Sequence, residues 1–345
     1  MHQVRAGMLT GYAEVAGSVG LDGPRMLREA GFAPESLADS ENRLPAGPAI
    51  RLLERSAELS HCDSFGLLMA EKRSFASIGP VSLLLEHLPN LREVLRTCVA
   101  YRHHFNDVAA LSLDEADGAE LIRLNVFPGF WSVQTIDLFT GLTYRMLHDA
   151  SRGHWRPSAV HVMRKAPRDL SAWRRVFPVK TEFESDFNGL SCSVASLLEP
   201  NPLADEEMAR HARRLLALVP LDSGPHPVSE RVRRSLSVLL PAGKITLPQM
   251  AAHLGMSRRG LQRRLEEEGY QFGELLSGVR SELATAYLAN SARPITSVAE
   301  LLGYASPSSF TRWFARAYGL PPQAWRARHG SDPPITPPPG ALRSQ

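Results

Sequence analysis

The sequence predicts an α+β domain followed by an all-α domain that carries two helix-turn-helix motifs joined by a long helix. Three observations predict it. Residues 251–269 (A-A-H-L-G-M-S-R-R-G-L-Q-R-R-L-E-E-E-G) and 299–319 (A-E-L-L-G-Y-A-S-P-S-S-F-T-R-W-F-A-R-A-Y-G) repeat Ala, Gly, a Ser cap, an apolar residue, Arg and a second apolar residue in one order. The first 200 residues mix helical with strand-like hydrophobic periodicity. Charge is also divided: residues 228–330 hold 14 Lys and Arg against 7 Asp and Glu, a surplus of +7 in a chain whose net charge is +3. The rest is therefore −4, the pattern of a basic module that meets a polyanion joined to a mildly acidic one that does not.

With 345 residues, 43% of them hydrophobic and 22% charged, the chain has the composition of an ordinary globular protein with room for two cores. Residues 1–11 lack the apolar run of a secretory signal, and no stretch approaches the ~18 to 20 apolar residues of a membrane helix. A cytoplasmic location is expected. Cys62, Cys98 and Cys192 are odd in number and widely spaced, which suits reduced, buried thiols better than a disulfide framework.

Residues 1–200 form the N-terminal domain. Its first half reads helical, from Ile50-Leu53-Ala57 and Val81-Leu84-Leu85-Leu88. Strands are predicted at 121–127, alternating around Ile122, Leu124 and Val126, at 159–163, and within 180–193, which shows Phe183 and Phe187 with Asn188-Gly189 as a turn. Residues 136–150 read as a buried helix. Residues 201–227 combine a helix at 203–218 with a linker stiffened by three prolines. That helix is either a homodimer contact or the last helix packed on its own domain. The tail, 331–345, carries Pro333, Pro334, Pro337, Pro338 and Pro339 and is expected to be disordered.

Residues 228–330 form the second domain, and each repeat carries its own start and stop chemistry. Thr246 with Gln249 is a capping box, Ser257 caps the helix after the Leu254-Gly255-Met256 turn, and Gly269 ends it. In the second copy Ser306 is the N-cap, Pro307 takes the first helical position, and Gly319 with Pro321-Pro322 closes the helix. Free N–H groups at these N-termini suit phosphate. Leu261 and Leu265 face inward, which leaves Arg259, Gln262 and Arg263 outward; Arg can read guanine and Gln adenine in a DNA major groove. Phe310 and Phe314 are the inward pair of the second helix, with Ser308, Thr311 and Arg312 outward. Pro307 offers no side-chain hydrogen bond, so the second helix is expected to read fewer bases and hold more phosphates. The expected DNA-binding set is Ser257, Arg258, Arg259, Gln262, Arg263, Ser306, Pro307, Ser308, Thr311 and Arg312.

Phe272, Leu276, Val279, Leu283 and Ala286 mark one face of a connecting helix over residues 272–290. Its length of about 27 Å suits two recognition helices that enter successive major grooves about 34 Å apart.

Residues 247–326, ending S-V-A-E-L-L-G-Y-A-S-P-S-S-F-T-R-W-F-A-R-A-Y-G-L-P-P-Q-A-W-R, resemble the DNA-binding domain of the AraC/XylS family of bacterial transcription regulators. The resemblance covers about a quarter of the chain. It implies base contacts at Arg259 and Arg263 in the first helix and at Pro307, Ser308 and Arg312 in the second, where Pro307 replaces a residue that is often polar. Through Arg43-Leu44-Pro45, Phe65-Gly66-Leu67 and its helix-rich first half, the N-terminal domain resembles the arabinose-binding-like effector domain of an AraC subgroup. It does not resemble the β-rich cupin of the arabinose sensor, so neither that fold nor that sugar carries over. The resemblance also implies RNA polymerase as a partner, an unidentified small-molecule effector, and activation as the sign of control.

Other residues have plainer readings. His61-Cys62-Asp63 and His103-His104 lack the clustered spacing of a metal site. Trp131, Trp155 and Trp173 with Arg145 could line a pocket and clamp a carboxylate, but core tryptophans, and Arg145 paired with an acid such as Asp137 or Asp149, are the simpler expectation. Glu266-Glu267-Glu268 reads as a solvated helix end. No G-x-S-x-G, P-loop, H-E-x-x-H or G-x-G-x-x-G pattern occurs, and the sequence calls for no catalytic residue, metal or cofactor. The favoured expectation is an effector-responsive transcription regulator. A ligand-independent architectural DNA-binding protein and an enzyme with an appended DNA module are the alternatives.

Overall fold

The computed structural model describes residues 2–116, 118–127, 129–218, 227–240, 245–290 and 293–329. The expected linker, apart from its last residue, and the expected disordered tail lie outside the described residues. The chain divides into two units, Met1–Val126 with Ser132–Asp222, and Phe127–Trp131 with Ser223–Gln345.

The first unit opens with β1 (Gln3–Arg5), α1 (Tyr12–Ser18), α2 (Gly23–Glu29), α3 (Pro34–Leu37) and β2 (Arg43–Pro45), with β1 and β2 antiparallel. There follow α4 (Ala46–Ser60), α5 (Phe65–Glu71), α6 (Val81–Leu85), α7 (Leu91–Ala100), β3 (Ala109–Ala116), β4 (Ala119–Val126) and α8 (Val133–Ala150). The unit closes with β5 (Ala159–His161), α9 (Ser171–Val176), β6 (Thr181–Glu182), β7 (Gly189–Ser193), α10 (Val194–Leu197) and α11 (Glu206–Leu216). Five strands form one sheet in the order β3-β4-β7-β5-β6, and β5 with β6 is its parallel pair. This is the α+β architecture that the sequence predicts.

Strand β4 buries Ile122, Leu124 and Val126 on alternate positions, as its period of two requires. Its partner β3 is poor in β-branched residues and owes its extended form to the hairpin register, from Ala109 opposite Val126 to Ala116 opposite Ala119. Asn188-Gly189 does not form the expected hairpin turn, because β7 lies between β4 and β5 and does not pair with β6. Gly189 instead begins β7 with φ +148°, and a Cβ there would stand 2.0 Å from the Ile122 carbonyl oxygen. Close backbone approach explains that glycine.

Helix α8 starts at Ser132, whose hydroxyl accepts the Thr135 N–H at 3.1 Å, and it runs through the core against α5. Glycine makes the contact possible on both sides. A Cβ on Gly66 would lie 2.0 Å from the Gln134 carbonyl oxygen, and one on Gly141 would lie 2.5 Å from the Ala70 Cβ. The Gly66 N–H donates to Gln134 Oε1 at 2.8 Å, so backbone and side chain lock together at this crossing.

Trp155 and Trp173 are core residues: both are buried, and their indole N–H groups donate to Ser196 and Ser64. Arg145 pairs with neither expected acid. Its Nε donates to the Arg73 carbonyl, while Asp137 is held by Arg164. Burial pushes the Cys98 and Cys192 thiols up to about 12, which keeps them protonated at neutral pH. Among the described residues no group of three or more His, Cys, Asp or Glu could hold a metal ion. No described helix is long and apolar enough to cross a membrane. Helix α11 buries Ala209, Ala212 and Leu216 in its own unit but leaves Met208 and Leu215 about half exposed.

The second unit is helical throughout: α12 (Val228–Leu239), α13 (Leu247–His253), α14 (Arg258–Glu267), α15 (Phe272–Asn290), α16 (Ile295–Leu301), α17 (Pro307–Tyr318) and α18 (Pro322–His329). The sequence predicts one buried stripe on α15, yet residues 281, 283–286, 288 and 289 are all buried. Neighbours α12, α16 and α18 cover it from several sides, so the apolar stripe understates its burial. The acidic run that ends α14 is not simply a solvated end. Glu268 accepts the Val228 and Ser229 N–H groups at 2.6 and 2.8 Å and so caps α12.

Gly66→Ala drives a methyl group into the Gln134 backbone, and we expect it to cost about 2 to 3 kcal/mol of stability, read as a fall in Tm; an unchanged unfolding curve contradicts this crossing. Partial burial works against the Glu268 carboxylate, but the bonds from Ser229 and Val228 hold its pKa below the usual value. A depressed carboxyl pKa stabilises the fold above the unfolded value and loses that stabilisation as pH falls. Glu268→Gln should therefore cost about 1 kcal/mol at neutral pH, and the difference from wild type should shrink below about pH 4. A difference independent of pH contradicts the charged cap.

Candidate nucleic-acid interface

The two helix-turn-helix units share one backbone scheme. In the first turn Gly255 has φ +66° and the Met256 N–H returns to the Ala251 carbonyl at 2.8 Å. In the second Gly303 has φ +69° and the Tyr304 N–H returns to the Ala299 carbonyl at 2.9 Å. This six-residue closure ends a helix through a left-handed residue, which explains why glycine stands at the same place twice. Ala251 and Ala299 are both buried where the helices meet, so a small residue recurs there too.

Caps then start the second helix of each unit. Ser257 accepts the Gly260 N–H at 3.1 Å, and Ser306 accepts the Ser309 N–H at 3.2 Å, with Pro307 as the first residue of α17. Both hydroxyls are thus engaged in local bonds, and the N–H groups of the first turns are what they leave for an anion.

Core packing fixes which face remains outside. Leu261 and Leu265 are buried, and Arg258, Arg259, Gln262, Arg263 and Arg264 are exposed on α14. On α17, Phe310 and Phe314 are buried, Pro307, Ser308, Arg312 and Arg316 are exposed, and Ser306 and Thr311 are half-buried. Arg264 and Arg316 add cations outside the expected set; their sequence signal is position alone, one residue after Arg263 and one turn after Arg312. Gln262 donates to Glu266 at 3.1 Å and Arg263 lies 3.5 Å from Glu267. These exposed contacts are worth at most about 1 kcal/mol, so both side chains can exchange them for a stronger partner. Among the described residues no carboxylate pairs with Arg258, Arg259 or Arg312.

Helix α15 holds the second unit directly. Arg280 Nε donates to the Leu302 carbonyl at 2.8 Å, its Nη2 donates to the Gly303 carbonyl at 3.2 Å, and its guanidinium lies 4.8 Å from the Tyr304 ring centre. Tyr304 continues into a ring cluster with Phe310, Phe314, Tyr318 and Trp325 that supports α17. The outward side chains of α17 therefore stand on a rigid base.

Comparison with known proteins agrees with this geometry. Residues 20–201 match the model of the arabinose-binding domain of AraC transcription regulators, and residues 250–328 match a helix-turn-helix domain model. The chain is 26% identical over 331 residues to the HTH-type transcriptional regulator VirS of Mycobacterium tuberculosis, covering 95% of this chain and 97% of that protein. It is 27% identical over 307 residues to the ornithine utilization regulator of Pseudomonas aeruginosa, covering 85% and 87%. With the N-terminal model alone spanning more than half its length, and the two capped helix-turn-helix units following, this chain belongs to the AraC family of transcription regulators.

Proposed function

We propose that the protein is a sequence-specific regulator that places α14 and α17 in successive major grooves of a promoter and is controlled by a small molecule held in its N-terminal unit. One observation carries the DNA reading: two helices, each capped at its N-terminus and braced by a buried apolar pair, turn exposed arginines to solvent. Arg259, Arg263 and Arg312 are the base readers, Gln262 assists, and Arg258, Ser308 and Thr311 hold phosphates or flanking edges. Ser257, Ser306 and Pro307 act through the helix N-termini they shape. Helix α15, with 19 residues and a length of about 28 Å, sets the separation of the two readers.

Activation, through contact with RNA polymerase, is the sign of control in this reading, and the protein works in the cytoplasm. Exposed Met208, Leu215 and Leu218 at the end of the N-terminal unit form the homodimer contact. The ornithine utilization regulator, similar over 85% of this chain, is named for the use of a small molecule, and that likeness supports effector control here.

Selection of DNA sequences by the purified chain, with and without candidate metabolites, tests these statements together. Arg263→Ala or Arg259→Ala should weaken the selected site by about 1 to 3 kcal/mol and relax preference at one position. Equal weakening on random DNA rejects base reading. Identical selection across the metabolite panel rejects effector control and leaves an architectural DNA-binding protein.

A further inference from the structure

A cavity of about 160 Å³ lies within the first unit, walled by β1, β3, β4 and α8. Its surface is largely carbon, from Phe75, Phe105, Leu111, Phe139, Leu142 and Met146. Four arginines, Arg5, Arg73, Arg102 and Arg145, also line it, together with Asp149.

The arginines are not equally compensated. Arg5 is paired with Glu41 and also donates to the Ile78 carbonyl at 2.6 Å. Arg73 is only 4% exposed and donates to the Gly7 and Met8 carbonyls, but its Nε–H has no acceptor, and among the described residues it has no carboxylate partner. Burial, reinforced by the charge of Arg5, pulls its pKa down to about 10, which still leaves it charged at neutral pH. Arg145 spends Nε on the Arg73 carbonyl at 2.8 Å, and among the described residues its two Nη groups make no hydrogen bond or ion pair; Glu71, itself paired with Arg175, is near enough to feel its charge. A buried cation without a counter-charge is costly, and an anion beside it removes that cost where a neutral molecule of the same shape does not.

We propose that this cavity binds an organic monoanion, a carboxylate joined to an apolar body near the size of a benzene ring. Arg145 and the uncompensated charge of Arg73 hold the carboxylate, and the phenylalanine and leucine side chains enclose the body. The volume sets the size, since an apolar cavity of about 150 Å³ holds benzene. Asp149, one helical turn beyond Arg145 on α8, repels a second negative charge and so favours a monoanion over a dianion. The proposal rests on the reading of the N-terminal unit as an effector domain.

The complete chain is titrated calorimetrically with hexanoate, benzoate and cyclohexanecarboxylate, and with hexanol, benzyl alcohol and cyclohexanemethanol as neutral counterparts. At least one acid should bind ten-fold or more tightly than its alcohol, to within about a factor of three. Arg145→Met should remove that preference and Arg145→Lys should keep part of it, with thermal unfolding as the check that each variant folds. Equal affinity for acid and alcohol in the wild type overturns the proposal, as does an acid preference that survives in folded Arg145→Met, or no binding of any acid at millimolar concentration. The effector reading fails separately: an acid that binds but leaves DNA affinity unchanged removes control by that ligand while the anion site stands. A neutral metabolite that shifts DNA affinity while no acid binds at millimolar concentration keeps effector control and overturns the anion site.

Discussion

The burial of α15 on several sides at once governs the second unit. A helix that is apolar on one stripe can lie at a surface, but one whose successive residues Leu283, Ala284, Thr285 and Ala286 are all buried has to sit at the centre of its domain. Once it does, α14 and α17 have only one apolar face each to spend on the core, and Leu261, Leu265, Phe310 and Phe314 occupy it. Their remaining faces meet solvent, and those faces carry the arginines. Arg280 adds direction to this packing by gripping the carbonyls of the Leu302-Gly303 turn from α15. The second helix-turn-helix is thus tied to the rod that connects it to the first.

Cations are used in two different ways in this chain. On α14 and α17 they stand in water, where an ion pair such as Arg263 with Glu267 is weak and easily exchanged. Such groups suit a polyanion that arrives from outside and displaces counterions. In the N-terminal unit Arg73 is desolvated and, among the described residues, lacks an acidic partner, so its field is strong and local. That arrangement suits a small anion that enters a carbon-lined space. The same residue type thereby addresses a duplex in one unit and a single charge in the other.

What could be read in the sequence was set by the range of the interactions. Thr246, Ser257, Ser306, Pro307 and Gly319 act within one turn of their own position, and each appears in the structure as the cap or stop its residue type suggests. The inward pairs of α14 and α17 follow from spacing alone. Strand β3 has no signal of its own, since its residues favour no strand, although the Asp117-Gly118 dipeptide that follows it is a hairpin signal. Asn188-Gly189 carries the same signal but forms no hairpin, since Gly189 answers to the Ile122 carbonyl more than sixty residues away. Glu268 serves α12, forty residues upstream, and Arg145 serves the Arg73 carbonyl, so neither role has a local signature. The cavity gathers residues from Val4 to Asp149, and no short pattern announces it.

Hydroxyl-radical footprinting of the complete chain on a selected site tests most directly whether α14 and α17 act as a pair across α15. Two protected patches on one side of the duplex, about one helical turn or 10 base pairs apart, are the expected result. A single patch, or two patches on opposite sides of the duplex, would contradict the paired reading.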